Sequence, residues 1–153
     1  MQRRNYRPPA PTLTGLLEAT AARFDVSVLS LDRAGQLDPP ALQQVAARAA
    51  LWALGDDEEL LGPLFGVLDR QAAGTLPTRY ERRRALRLAS RLALQSPNEQ
   101  SLHAARAATA ALRCAEDDAA RNDWARDALV EAIELAQIRG GDARAQLLAE
   151  LGP

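Results

Sequence analysis

A chain of 153 residues is long enough for one domain with its own core. With 47% hydrophobic and 25% charged residues it has the balance of a globular protein, not a disordered or fibrous one. A net charge of −1 excludes a uniformly basic nucleic-acid binder, and the single cysteine, Cys114, excludes an internal disulfide and fits a reducing compartment.

Residues 1–11 read as a basic, proline-rich arm: Arg3, Arg4 and Arg7 are followed by Pro8, Pro9 and Pro11, with no apolar period to dock. No apolar segment follows these arginines and no run of about 18 apolar residues exists anywhere. Neither a signal peptide nor a membrane span is therefore expected, and the expected location is cytoplasmic. Residues 12–153 read as one helical domain. Leu13, Leu16, Leu17, Thr20 and Phe24 keep a helical spacing, and "FDVSVLSLD" reads as a connector.

Asp38 with Pro39 and Pro40 predicts a helix start, since proline is harmless at the first helical position. Leu42, Val45, Ala46, Ala49 and Ala53 form its apolar stripe up to Gly55. Asp56 with Glu59 opens the next helix, carrying Leu60, Leu61, Leu64, Phe65 and Leu68, with a kink expected at Gly62-Pro63. Gly74 and Pro77 break the chain, and Thr78 with Glu81 is a T-x-x-E capping box. Ser96-Pro97-Asn98-Glu99 predicts another box, with Ser96 as the cap, ahead of an alanine-rich helix to Cys114. A further helix from about residue 118 carries Trp124, Ala128, Leu129, Ala132, Ile133 and Ala136 to Gly140-Gly141. Asp142 caps a last short helix. With aromatic residues at only 4%, the core must come from leucine, alanine and valine, which suits closely packed helices. The fold class is all-α.

Helix starts near 39, 79 and 118 give a period of about forty, the range of two-helix repeats. The stretches "VAARAALWALGDDEELLGPLFGVL", "RRRALRLASRLALQSPNEQSLHAARAATAAL" and "ARDALVEAIELAQIRGGDARAQLLAEL" resemble bacterial HEAT-like repeats over residues 38–151. The resemblance implies antiparallel helix pairs stacked as a short α-solenoid used as a binding surface. A compact bundle of six to seven helices is the alternative. A second likeness is to the DNA-binding domain of bacterial replication initiators: "LLEATAARFDVSVLSLDRAGQLDPPALQQVAARAALWAL" resembles its opening, with "LLGPLFGVLDRQAAG" as the continuation. The basic-His-Thr signature expected there is replaced by Leu68, Asp69, Arg70, Gln71 and Ala72, so no DNA-reading residue carries over.

Nothing in the sequence declares a chemistry. His103, the only histidine, lies four residues after Glu99, a spacing that predicts an ion pair on one helix face. A general base or metal ligand would need further partners, and none is near in sequence. Cys114 precedes Glu116, Asp117 and Asp118, which discourage a thiolate, so it reads as packing. Asp123, Asp127, Glu131 and Glu134 draw an acidic stripe down one helix. Such an array could hold a hard cation only with ligands from a second helix, so a solvated face is expected. No enzyme, metal, cofactor or small-molecule substrate is predicted.

The charges that stand out are arginines; all nineteen basic residues are of this type. Residues 1–95 hold 13 of them against 10 carboxylates, whereas residues 96–153 hold 6 against 10. In "RYERRRALRLASRLAL", Arg83, Arg84, Arg87 and Arg91 share about a third of the helical circumference, opposite Ala85, Leu88, Ala89 and Leu92. Four roles are open: a plain solvated face, pairing with the Asp123–Glu134 stripe in the same chain, pairing with that stripe on a second copy, or gripping an external anion. The leading expectation is a protein-binding or scaffold module that binds a protein partner or itself. Its acidic helix would serve a basic partner. The alternative is a nucleic-acid-binding protein that contacts phosphates through these four arginines and the Arg3/Arg4/Arg7 arm.

Overall fold

The computed structural model describes residues 39–55 and 58–151. The arm with Arg3, Arg4 and Arg7, the apolar spacing from Leu13 to Phe24, the connector, and the caps at Asp38 and Asp56 lie outside the described residues. Six helices form: α1 Pro39–Leu54, α2 Glu58–Ala72, α3 Arg79–Leu94, α4 Glu99–Glu116, α5 Arg121–Arg139 and α6 Ala143–Leu151. No strand occurs among the described residues, and the all-α expectation holds.

Most helix ends have a local cause in the sequence. Helix α2 runs through Pro63, which sits in the second turn, where its missing N–H removes one intrahelical bond. That helix stops in a Schellman arrangement: Thr75 N–H bonds Arg70 O at 2.9 Å and Gly74 N–H bonds Gln71 O at 3.1 Å. Gly74 sits at φ +87, a backbone conformation that favours glycine, and a Cβ there would lie 3.1 Å from Gln44 Nε2, whose flexible end would have to give by a few tenths of an ångström. The Thr78 box is present: Thr78 Oγ1 accepts from Glu81 N–H at 3.2 Å, and Glu81 Oε1 accepts from Thr78 N–H at 3.3 Å.

The predicted Ser96 cap is displaced. Asn98 accepts from Ser101 N–H at 2.9 Å and helix α4 begins at Glu99, while Ser96 Oγ donates back to Leu92 O at 2.7 Å. Asn is at least as good an N-cap as Ser, and Ser96 instead satisfies a carbonyl that the end of α3 leaves unpaired. Helix α5 begins at Arg121, three residues later than its apolar spacing suggested, because Asp117 Oδ1 holds Ala120 N–H in a turn at 3.2 Å.

Packing follows from where alanine lies. The stripe Leu42, Val45, Ala46, Ala49 and Ala53 is buried as predicted. Helix α4 goes further: Ala104, Ala105, Ala107, Ala108, Ala110 and Ala111 are all buried, so it is covered around most of its circumference. Small side chains let neighbours approach on several sides, and α4 packs against α1, α3 and α5. Successive helices pair as expected. In addition α1 packs against α4, α5 and α6, closing the array around a shared core of Leu64, Leu68, Leu112, Leu129 and Ile133. The described helices are consistent with both architectures above, a short stack of antiparallel pairs or a compact bundle, and the contacts of α1 with α5 and α6 close the described array on itself. Helices α3 and α5 both pack on α4 without packing extensively on each other, and this leaves one side of α4 uncovered.

Candidate binding groove and an adjoining polar cluster

Arg83, Arg84, Arg87 and Arg91 all project from α3 into solvent. None of the four side chains has an ion pair or hydrogen bond with another described residue. Their neighbours are engaged elsewhere: Arg82 pairs with Glu116 at 3.6 Å and donates to Pro77 O at 2.6 Å, and Glu81 is held by Arg70. The acidic stripe is engaged as well, but not by α3. Asp123 and Asp127 lie 3.4 and 3.5 Å from the two terminal nitrogens of Arg126, while Glu131 and Glu134 turn to His103. Pairing of the two stripes within one chain is therefore not the arrangement. The physical reason is that α4 stands between their helices.

The uncovered side of α4 is a groove of about 550 Å³. Thr109 and Ala110 of α4 contribute to its floor, with Ser90 and Leu94 of α3 on one wall and Trp124 and Asp127 of α5 on the other. Leu94 is 88% exposed, an unusual position for a leucine beside an apolar concavity. With 3.6 residues per turn, Arg83, Arg87, Ser90 and Leu94 fall on one line of α3, so the arginine stripe runs into the groove wall. Arg84 and Arg91 point further out. Beyond Trp124 lies a second, polar hollow of about 400 Å³, where Arg79, Arg82, Arg83 and Arg113 meet Glu116, Asp117 and Asp118. Trp124 lines both spaces. It is fixed by the Arg113 guanidinium, 5.2 Å from its ring centroid, and by Nε1–H donating to Asp117 Oδ2 at 3.4 Å.

His103 is 7% exposed and departs from its expected pairing. Glu99 Oε1 is within 3.8 Å of Nε2 as the spacing predicted. The closer partner comes from α5, however: Glu131 Oε2 lies 2.5 Å from Nδ1, with Glu134 Oε2 at 3.5 Å. The second helix that the acidic stripe lacked in sequence is thus present in space.

Cys114 is fully buried, and burial pushes its thiol up to about 12, slightly opposed by Arg121. It is packing, as expected, but desolvation, not the adjacent carboxylates, is the main cause.

The groove was missed in sequence because it needs three helices at once. The one local signal was Leu94, an apolar residue in line with Arg83 and Arg87. Among the described residues no helix is long and apolar enough to cross a membrane. No protein-family model, curated protein or solved structure matches the chain.

Proposed function

We propose that the protein is a non-catalytic, cytoplasmic binding module whose groove between α3 and α5 takes an amphipathic, acidic helix of a partner protein. The observation that carries this reading is the line Arg83, Arg87, Ser90 and Leu94, which joins cations with no partner among the described residues to an exposed leucine on the wall of an apolar groove. A helix laid against α4 would bury its apolar face on Ala110, Leu94 and Trp124. Its carboxylates would meet Arg83 and Arg87, the helix-in-groove mode of recognition. The resemblance to HEAT-like repeats supports the same reading, since such arrays serve mostly as binding surfaces.

A photo-crosslinking amino acid at position 94, with position 149 as control, tests it in cells. The expected adduct at 94 is a protein segment that is helical and acidic, and that binds as an isolated peptide. Leu94→Asp and the pair Arg83→Ala, Arg87→Ala should each weaken that peptide at least tenfold. Adducts at 94 no different from those at 149 would sink the reading.

The exposed arginines also favour a second reading, contact with nucleic-acid phosphates. Fluorescence anisotropy with labelled duplex and single-stranded DNA at about 50 and 200 mM salt separates the two. Salt-sensitive binding that disappears when Arg83, Arg84, Arg87 and Arg91 become alanine would establish it; no binding at the lower salt would exclude it.

A further inference from the structure

Carboxylates along one helix make a defined metal site only when another helix adds a donor, and here α4 does so. The His103 imidazole turns Nδ1 into the α5 carboxylates, and Nδ1, a Glu131 oxygen and a Glu134 oxygen all lie within 4.8 Å of one another. We propose that His103, Glu131 and Glu134 bind a divalent first-row transition cation, with zinc as the reference probe.

The donor set argues for the class of ion. One imidazole with two carboxylates suits zinc, manganese or ferrous iron, whereas calcium and magnesium take oxygen donors alone. Spacing agrees. Bonds of about 2.0–2.2 Å in a tetrahedral site hold donors roughly 3.3–3.5 Å apart, and Nδ1 to Glu134 Oε2 is already 3.5 Å. Glu131, at 2.5 Å, must swing back by roughly 1 Å to reach that spacing.

The histidine is the independent part of this argument. A pair of surface glutamates is an ordinary solvated feature. A nearly buried imidazole, aimed from a different helix into that pair, supplies the nitrogen that selects transition metals. Its other nitrogen faces Glu99 at 3.8 Å. Ligating histidines usually direct their second ring N–H to a carboxylate, and Glu99 is the carboxylate on that side, at a distance longer than a hydrogen bond. The two helices are packed along their length, so the donors are held on rigid elements. Glu131 also lines the groove, which places the cluster at its edge, but the proposal does not depend on what the groove receives.

The test uses the full chain without a histidine tag, stripped with chelator and titrated with zinc by calorimetry and thermal melting. The expected result is one zinc per chain and a raised melting temperature, with no comparable effect of magnesium or calcium. The double variant Glu131→Gln, Glu134→Gln should lose the zinc while keeping its helical circular dichroism, and His103→Asn should lose it too. Asp123→Asn, an exposed carboxylate on the same helix, should bind as the parent does. Should His103→Asn fail to fold, the double glutamine variant decides alone. Absence of zinc binding at millimolar metal would overturn the proposal, as would zinc retained by the double variant or lost equally in Asp123→Asn.

Discussion

The side-chain amide of Gln71 donates to the backbone carbonyl of Ala111, forty residues further along the chain, at 2.9 Å. The same nitrogen donates to Gln43 O at 3.0 Å, so one 1%-exposed side chain ties α2 to both α1 and α4. Its other end is unsatisfied: Gln71 Oε1 is buried with no hydrogen-bond partner among the described residues. Buried polar groups left without partners cost about 1–3 kcal/mol each, which offsets much of what the two bonds contribute. Gln71→Ala should therefore destabilise the fold by about 2–3 kcal/mol through lost bonds and a cavity. Gln71→Met, which fills the space and removes the orphan oxygen, should stay within about 1 kcal/mol of the parent. Urea unfolding midpoints of the two variants check this; equal losses would mean that the hydrogen bonds dominate and the orphan oxygen costs little.

Arg139 from the end of α5 supplies a side-chain cap to the C-terminus of α1. Its Nη2 donates to Ala53 O at 2.8 Å and Nη1 lies 3.4 Å from Trp52 O, with the guanidinium 4.8 Å from the Trp52 ring centroid. A cation at a helix C-terminus, hydrogen-bonded and stacked, combines three favourable terms. Arg139→Ala should cost about 1–2 kcal/mol, and Arg139→Lys should recover only part, since an ammonium keeps the charge but loses the planar fork. Thermal unfolding measures both; a lysine variant as stable as the parent would reduce the contact to simple charge.

These two residues mark what the sequence could and could not reveal. Periodicity and turn chemistry exposed the helices, because those signals act within a few residues: the Thr78 box, the Gly74 stop and the α1 stripe all stand where expected. Ser96 and Asn98 compete for one cap within three residues, and propensity alone does not rank them. Gln71, Arg139 and His103 each act across 28 residues or more, and no local pattern carries that information. The alanine-rich helix α4 was legible as a helix, but its central place in the packing was not. Alanine on several faces of a helix does not say how many neighbours it has, yet these short side chains are what allow it to be surrounded.

Glu81 gives a pH dependence with a definite sign. Its hydrogen bond with Arg70, and next that with Thr78, hold its carboxyl down to about 2, against 4.5 for the ordinary group. A depressed carboxyl stabilises the fold above the ordinary value and loses that contribution as pH falls through about 2. The melting temperature of the parent should exceed that of Glu81→Gln at pH 7, and the gap should narrow from about pH 4.5 downward. Because both side chains reach solvent, added salt should shrink the gap. Melting curves of both proteins between pH 7 and 2 test it; a gap independent of pH would assign the effect to the cap geometry and not to charge.

The burial of Cys114 predicts silence toward thiol reagents. A thiol pushed up to about 12 has almost no thiolate at neutral pH, and full burial denies access. Ellman's reagent should leave the native chain unreacted over an hour and titrate one thiol in guanidinium. Rapid labelling of the native protein would mean that α4 opens readily, against its position in the core.

The arginine stripe makes the last prediction, and it bears on function through stability. A residue that serves the fold loses stabilising contacts when truncated; one held for a partner does not. Arg83 and Arg87, Arg87 and Arg91, and Arg84 and Arg87 are like-charged neighbours at helical spacing, each pair unfavourable by about 0.2–0.5 kcal/mol. With no described residue pairing them, replacing all four by alanine removes repulsion, and alanine is the best helix former. The quadruple variant should therefore melt at or a few degrees above the parent temperature, most visibly at low salt where the repulsion is least screened. A fall of several degrees would show that the chain itself uses these cations. They would then no longer be available to mark a binding surface.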